Sequence, residues 1–218
     1  MRRSSAPRVA TTATVSVDVV ILACRDQRMF VLVEPSQAGA VSLPWGELRH
    51  REPIDAAASR IARAALGFAP RWLEQVGSFT EGIGHPGRSA LSVCYVAVSP
   101  WQDQIMWQDA NATRGLSPRH RHLVKAAHRA VGSRVEQSPI AFSLLPKAFT
   151  LTELQQTYET LLGRRLHKAS FRRSLQAEFL VEATGEWRGE GRGRPAQLFR
   201  YAPRRKRHSR RGVRLGLP

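Results

Sequence analysis

Cysteine is nearly absent from this 218-residue chain: Cys24 and Cys94 are its only two, far apart and each inside an apolar run. With no CxxC pair, the sequence argues against both a zinc framework and a disulfide framework, and buried free thiols in a reducing compartment are expected. Long apolar runs are missing too. The basic start Met1-Arg2-Arg3 is not followed by a signal-peptide core, because the nearest apolar run, from Val15 to Ala23, contains Asp18 and alternates like a strand. No stretch is long enough to span a membrane, so a cytoplasmic protein without a membrane partner is expected. Acidic residues are the third scarcity. Against 34 Lys and Arg stand 17 Asp and Glu, a formal net charge of +17, which calls for an acidic partner and for nucleic acid first. The excess is uneven: residues 142–218 hold 17 Lys/Arg against 6 Asp/Glu, whereas the longer preceding part holds 17 against 11.

What is present divides the chain in two. Val15-Ser16-Val17-Asp18-Val19-Val20-Ile21-Leu22 and Met29-Phe30-Val31-Leu32-Val33-Glu34 read as strands around the turn-like Arg25-Asp26-Gln27. From Pro53 the period changes, with Ile54, Ala58, Ile61, Ala65 and Leu66 on one helical stripe that Gly67 ends. Strand signals return at 72–79 and 90–98, and a second helix is expected over about 118–131. Periodicity fades between Gly132 and Pro146, where a domain boundary is expected. Then comes Thr150-Leu151-Thr152-Glu153, a capping box in which hydroxyl and carboxylate each satisfy a free backbone N–H. Its helix stops at Gly163, and a second helix follows over about 168–177, with Phe171 and Leu175 facing inward. Two strand-like runs flank a Gly/Arg-rich loop, so helix, turn, helix, hairpin is the order of a winged helix. The fold class expected is α+β, with a disordered start over 1–12, a first domain over 13–135, a second over 136–202 and a disordered basic tail over 203–218.

Within the first domain Gly46, Glu52, Arg60, Gly67 and Phe68 fall in the register of the Nudix box, and that domain resembles a Nudix-type α/β/α sandwich. The three helical glutamates that hold divalent metal in a Nudix hydrolase are here Ile61, Ala64 and Ala65. Magnesium needs several oxygen ligands in near-octahedral geometry, and Ile and Ala supply none. The helix can still pack on a sheet, so the fold is expected to survive while catalysis is not. No catalytic residue, metal or cofactor is expected. Glu52 and Arg60 are read as a structural ion pair across the loop–helix junction. Trp45 could stack on a nucleotide base or close the core. The seven histidines are scattered, and His120, His122 and His128, on one helix, read as polar surface.

The second domain carries the sharper constellation. With Phe171 and Leu175 buried, Lys168, Ser170, Arg172, Arg173 and Gln176 point outward from the presumed recognition helix. Such a helix can enter a major groove, where Arg pairs with guanine and Ser or Lys holds phosphate. In the following loop Arg188, Arg192 and Arg194 flank glycines and suit a narrow, negative minor groove. The core Arg192-Gly193-Arg194-Pro195 looks like the minor-groove element of AT-hook peptides. Tail arginines add salt-sensitive phosphate affinity without reading bases.

The two halves together resemble the Nudix-related transcriptional regulators of bacterial NAD metabolism, from about Val15 to Tyr201. The resemblance rests on Phe149-Thr150-Leu151-Thr152-Glu153-Leu154-Gln155, Tyr158-Glu159, Leu162-Gly163, Phe171-Arg172-Arg173, Gly193-Arg194-Pro195-Ala196 and Ser92-Val93-Cys94-Tyr95. It implies a homodimer on a near-palindromic double-stranded operator upstream of NAD biosynthesis or salvage genes, with ADP-ribose binding the Nudix-like domain and releasing DNA. The chain departs from the family where Trp45-Gly46 replaces Gly-Gly and where the box has lost its acids. Arg88 is the best candidate for a pyrophosphate-binding cation, with Trp45 as a second effector contact. Two alternatives stay open: a rewired Nudix hydrolase acting on a nucleoside diphosphate compound, and a nucleic-acid-binding scaffold that senses nothing.

Overall fold

A computed structural model describes residues 14–36, 40–80, 84–189, 195–203 and 212–215. The expected disordered start, Arg192 and Arg194 lie outside the described residues. Strand β1 (Val15–Arg25) turns through Asp26 and Gln27, both at positive φ, into β2 (Arg28–Leu32). Two positive-φ residues at a two-residue hairpin match the right-handed twist of the strands. Short strands β3 (Glu34–Pro35), β4 (Val41–Ser42) and β5 (Trp45–Glu47) lead to helix α1 (Ile54–Leu66). Strands β6 (Trp72–Phe79), β7 (Leu91–Val98) and β8 (Trp107–Asp109) precede α2 (Pro118–Arg134). The mixed sheet runs β6-β7-β1-β2-β8, with β1 parallel to β7 and antiparallel to β2 and β5.

The period-2 alternation of β1 decides the layering. Val17, Val19 and Ile21 face α1, and Val20 and Leu22 face the side covered by α2, so the sheet is sandwiched between the two helices. Helix α1 begins after Pro53 and ends on Gly67 at φ 81. Its buried face is Ala57, Ala58, Ile61, Ala62 and Leu66, one step round from the expected stripe, and Ile54 is exposed. The small alanines let the helix lie close to the sheet.

No gap separates the two halves. Where periodicity fades, a four-residue helix α3 (Ile140–Ser143) is wholly buried, and the Phe142 ring stacks on Tyr201 with centroids 4.3 Å apart. A helix of one turn is too short to show a period. Helices α4 (Leu151–Leu162) and α5 (Lys168–Glu178) and the hairpin β9 (Val181–Arg188) and β10 (Ala196–Tyr201) complete the winged helix. One apolar core runs from Val20, Leu22 and Val96 through Leu123 and Ile140 to Tyr158, Phe171 and Leu180. The expectation of a tail with no packing is corrected at its end: Val213 is fully buried in that core, its N–H donates to the Tyr158 hydroxyl at 2.6 Å, and Leu215 packs alongside. Two apolar residues among arginines give no pattern to read in advance. Among the described residues no helix is long and apolar enough to cross a membrane.

Candidate nucleic-acid interface and effector site

The winged helix is set by local chemistry. Thr150 Oγ1 accepts the Glu153 N–H at 3.1 Å and Glu153 Oε2 accepts the Thr150 N–H at 2.6 Å, closing the expected capping box. Gly163, at φ 66, ends α4. The turn to α5 is held by Glu159, which the sequence reading named only as part of the family resemblance and gave no role. Glu159 takes hydrogen bonds from the Leu166 N–H (2.9 Å), Gln155 Nε2 (3.0 Å) and Arg165 (3.0 Å). Burial raises its carboxyl pKa, but these donors outweigh that and leave it lowered. Across that turn Phe171 and Leu175 are buried, and Lys168, Ser170, Arg172, Arg173 and Gln176 all lie exposed on α5. The Ser170 hydroxyl is 3.3 Å from His167 Nδ1. Arg188, at the end of β9, bonds Glu153 Oε1 at 2.7 Å and the Ala148 carbonyl at 3.3 Å.

In the sandwich, Glu52 receives Arg60 Nε and Nη2 at 2.8 Å each and the Arg49 N–H at 3.0 Å. The Arg60 hydrogen bond, then the Arg49 N–H, hold its carboxyl down to about 2. The expected ion pair is therefore bidentate and engages the only acid of the box register. Ile61 is buried on the sheet, Ala65 is half-buried and Ala64 faces solvent, so the box face presents no carboxylate at those positions.

Trp45 and Arg88 come together through a loop. Trp45 pairs across from Asp18 in the sheet, half-buried, and its indole packs edge-on to His85 with centroids 4.8 Å apart. Gly87 lies against that indole so closely that a Cβ there would collide with the Trp45 ring. Arg88 is exposed at φ 54, a left-handed conformation that a non-glycine residue adopts at some cost, and its N–H donates to the His85 carbonyl at 2.9 Å.

Beneath them lies a buried polar cluster that was not foreseen. Asp18 Oδ1 accepts His85 Nε2 at 2.8 Å and His120 Nε2 at 3.1 Å, and Asp18 Oδ2 accepts the Ser16 hydroxyl at 2.8 Å. Ser16 lies 3.2 Å from the Ser92 hydroxyl, which accepts from buried Arg119 at 3.2 Å, so a cation lies two hydroxyls from the buried carboxylate. Burial raises the Asp18 pKa, but the bonds from His120, His85 and Ser16 outweigh that and leave it well below the usual range. His120 is lowered by burial, with Asp18 opposing, and stays neutral near pH 7. The reading of the α2 histidines as polar surface fails for His120, which is fully buried, as is His85. His120 sits between Arg119 and Arg121 and His85 between Gly84 and Pro86, and their shared partner is far away in the chain. The three ligand atoms lie close enough to hold a metal ion. However, each Nδ1 accepts a backbone N–H, from Gly87 at 3.0 Å and from Leu43 at 3.1 Å, so each Nε2 keeps its proton and points it at Asp18. The cluster is complete as a hydrogen-bonded one.

A Nudix-like sandwich without the three helical box glutamates, sharing its core with a basic winged helix, is the architecture of a ligand-linked transcription regulator. A family model described as the NrtR DNA-binding winged helix domain matches residues 141–201. The chain is 30% identical over 204 residues to the ADPR responsive transcriptional repressor NtrR of Acinetobacter baylyi, covering 86% of this chain and 81% of that protein. Among solved structures it is similar to Shewanella oneidensis NrtR complexed with a 27mer DNA, at 26% identity and TM-score 0.77, covering 92% of this chain and 98% of the other. A MutT/nudix family protein from Enterococcus faecalis shares the fold, at 18% identity and TM-score 0.63 over 88% of this chain and 89% of its own. The chain belongs to the NrtR family of ADP-ribose-responsive transcriptional repressors.

Proposed function

We propose that this protein is a homodimeric repressor of NAD biosynthesis or salvage genes, released from a near-palindromic operator by ADP-ribose or a closely related nucleotide, and that it hydrolyses nothing. Residues 13–135 sense and residues 136–202 read, and reading DNA places its work in the cytoplasm. The observation that carries the proposal is the exposed row Lys168, Ser170, Arg172, Arg173 and Gln176 on the second helix of a winged helix built on the same core as a sandwich that lacks the helical box glutamates. Arg172 and Arg173 pair with base edges, Lys168 and Ser170 hold phosphate, and Arg192 and Arg194 enter the minor groove from the wing. Arg188, which Glu153 engages at the end of β9, meets DNA from there. The effector's base stacks on Trp45 and its pyrophosphate meets Arg88. Ligand there changes the spacing or tilt of the two winged helices, which must match half-sites about one duplex turn apart.

The test is a fluorescence-anisotropy titration with DNA from upstream of the protein's own gene cluster, at near-physiological salt, with and without ADP-ribose. Specific binding relieved by ADP-ribose is the expected result. Specific binding indifferent to it discards the effector, and binding without preference over random DNA discards the repressor.

A further inference from the structure

The strongest unexplained feature is the buried Asp18 cluster, because it ties together the two segments that carry Trp45 and Arg88. His85 belongs to the loop that bears Gly87 and Arg88, and its two nitrogens are both committed: Nδ1 to the Gly87 N–H and Nε2 to Asp18. His120 opens α2, and its Nδ1 accepts the N–H of Leu43, two residues before Trp45. The Val19 N–H also donates to the Pro44 carbonyl at 2.9 Å, which fastens the same segment to β1. One oxygen of one buried carboxylate is therefore the common anchor of both segments. Moving either imidazole leaves a desolvated charge short of a donor, which is costly in a buried site. The His85 ring is also the surface against which the Trp45 indole rests.

We propose that Asp18 is the positioning residue of the effector site: through His85 and His120 it sets the distance between the Trp45 indole and the Gly87–Arg88 backbone, and so the affinity for a nucleoside diphosphate ligand. This rests on the reading that Trp45 and Arg88 contact the effector. Asp18 touches no ligand itself. It fixes one tautomer and one orientation in each imidazole, and the ligand meets segments already in place instead of ordering them at the cost of affinity.

The experiment measures ADP-ribose binding to the full chain by calorimetry, and operator binding without ligand by anisotropy, for wild type, Asp18→Asn, His85→Phe and His85→Gln. Phenylalanine keeps a ring beside Trp45 and loses the donor, whereas glutamine can keep an N–H aimed at Asp18. The expected result is a rise in ADP-ribose Kd of roughly tenfold or more for Asp18→Asn and His85→Phe, with a smaller loss for His85→Gln. Operator affinity stays within about twofold throughout. Folded variants that bind ADP-ribose as wild type does overturn the positioning role. Equal losses of operator and ADP-ribose affinity overturn it as well, because they mark a merely structural role. If Asp18→Asn does not fold, the His85 pair decides by the same criteria. Wild type that gives no ADP-ribose binding overturns the effector reading beneath the inference, an outcome separable from the others because it precedes any substitution.

Discussion

The Arg188 guanidinium at the end of the first wing strand lies 2.7 Å from Oε1 of Glu153, the residue whose other oxygen caps helix α4. One carboxylate thus closes the helix and fastens the wing to it. Glu153→Ala removes both contacts and is expected to lower stability by about 1 kcal/mol, the scale of a lost cap. The two side chains are each 33% exposed, so their mutual coupling in a double-mutant cycle with Arg188→Ala is modest, about 0.2–1 kcal/mol. Urea midpoints measure both, and a zero coupling removes the tie between wing and helix.

Arg172→Ala and Arg173→Ala are each expected to weaken operator binding by about 1–3 kcal/mol without unfolding the protein, since both side chains are exposed. The loss falls on the operator more than on random DNA if the arginine reads a base, and evenly on both if it holds phosphate. Unchanged operator affinity in both variants refutes the assignment of α5 as the reading helix.

ADP-ribose incubated with the protein and magnesium is expected to stay intact. Ile61, Ala64 and Ala65 provide no ligand oxygens, and Glu52 is occupied by Arg60. Chromatography for AMP and ribose phosphate checks this. Turnover that depends on both magnesium and Glu52 restores the hydrolase reading.

Stability is expected to fall on acidification in two stages. In the unfolded chain His120 takes up a proton below about 6.5, whereas burial keeps the folded residue neutral to lower pH. Its contribution is therefore complete above that value and is lost as pH falls through the folded one. Glu52 acts lower down: its contribution is complete above the unfolded value of 4.5 and is lost as pH falls towards about 2. Urea midpoints from about pH 8 to pH 3 reveal both stages, and a flat profile between about pH 7 and pH 5 contradicts the first.

What was legible in the sequence is what is local. The capping box spans four residues, and the box register of Gly46, Glu52, Arg60 and Gly67 lies within one loop and helix; both stand in the structure where their spacing puts them. The inward Phe171 and Leu175 follow from helical period alone. The Asp18 cluster was not legible, because its partners lie 67 and 102 positions from Asp18 and nothing in their neighbours sets them apart. Helix α3 and the docked Val213 were missed for the opposite reason, too few residues to make a pattern.

The core shared by sandwich and winged helix also bears on how such a regulator can diversify. Val135, Ile140, Phe142, Tyr158 and Val213 interlock residues from both halves and from the tail, so a reading head cut from a relative and grafted here meets a surface shaped for another partner. A new operator is then reached by changing the solvent face of α5 one side chain at a time. Wholesale exchange of modules, the usual shortcut to new specificity, is closed to this architecture.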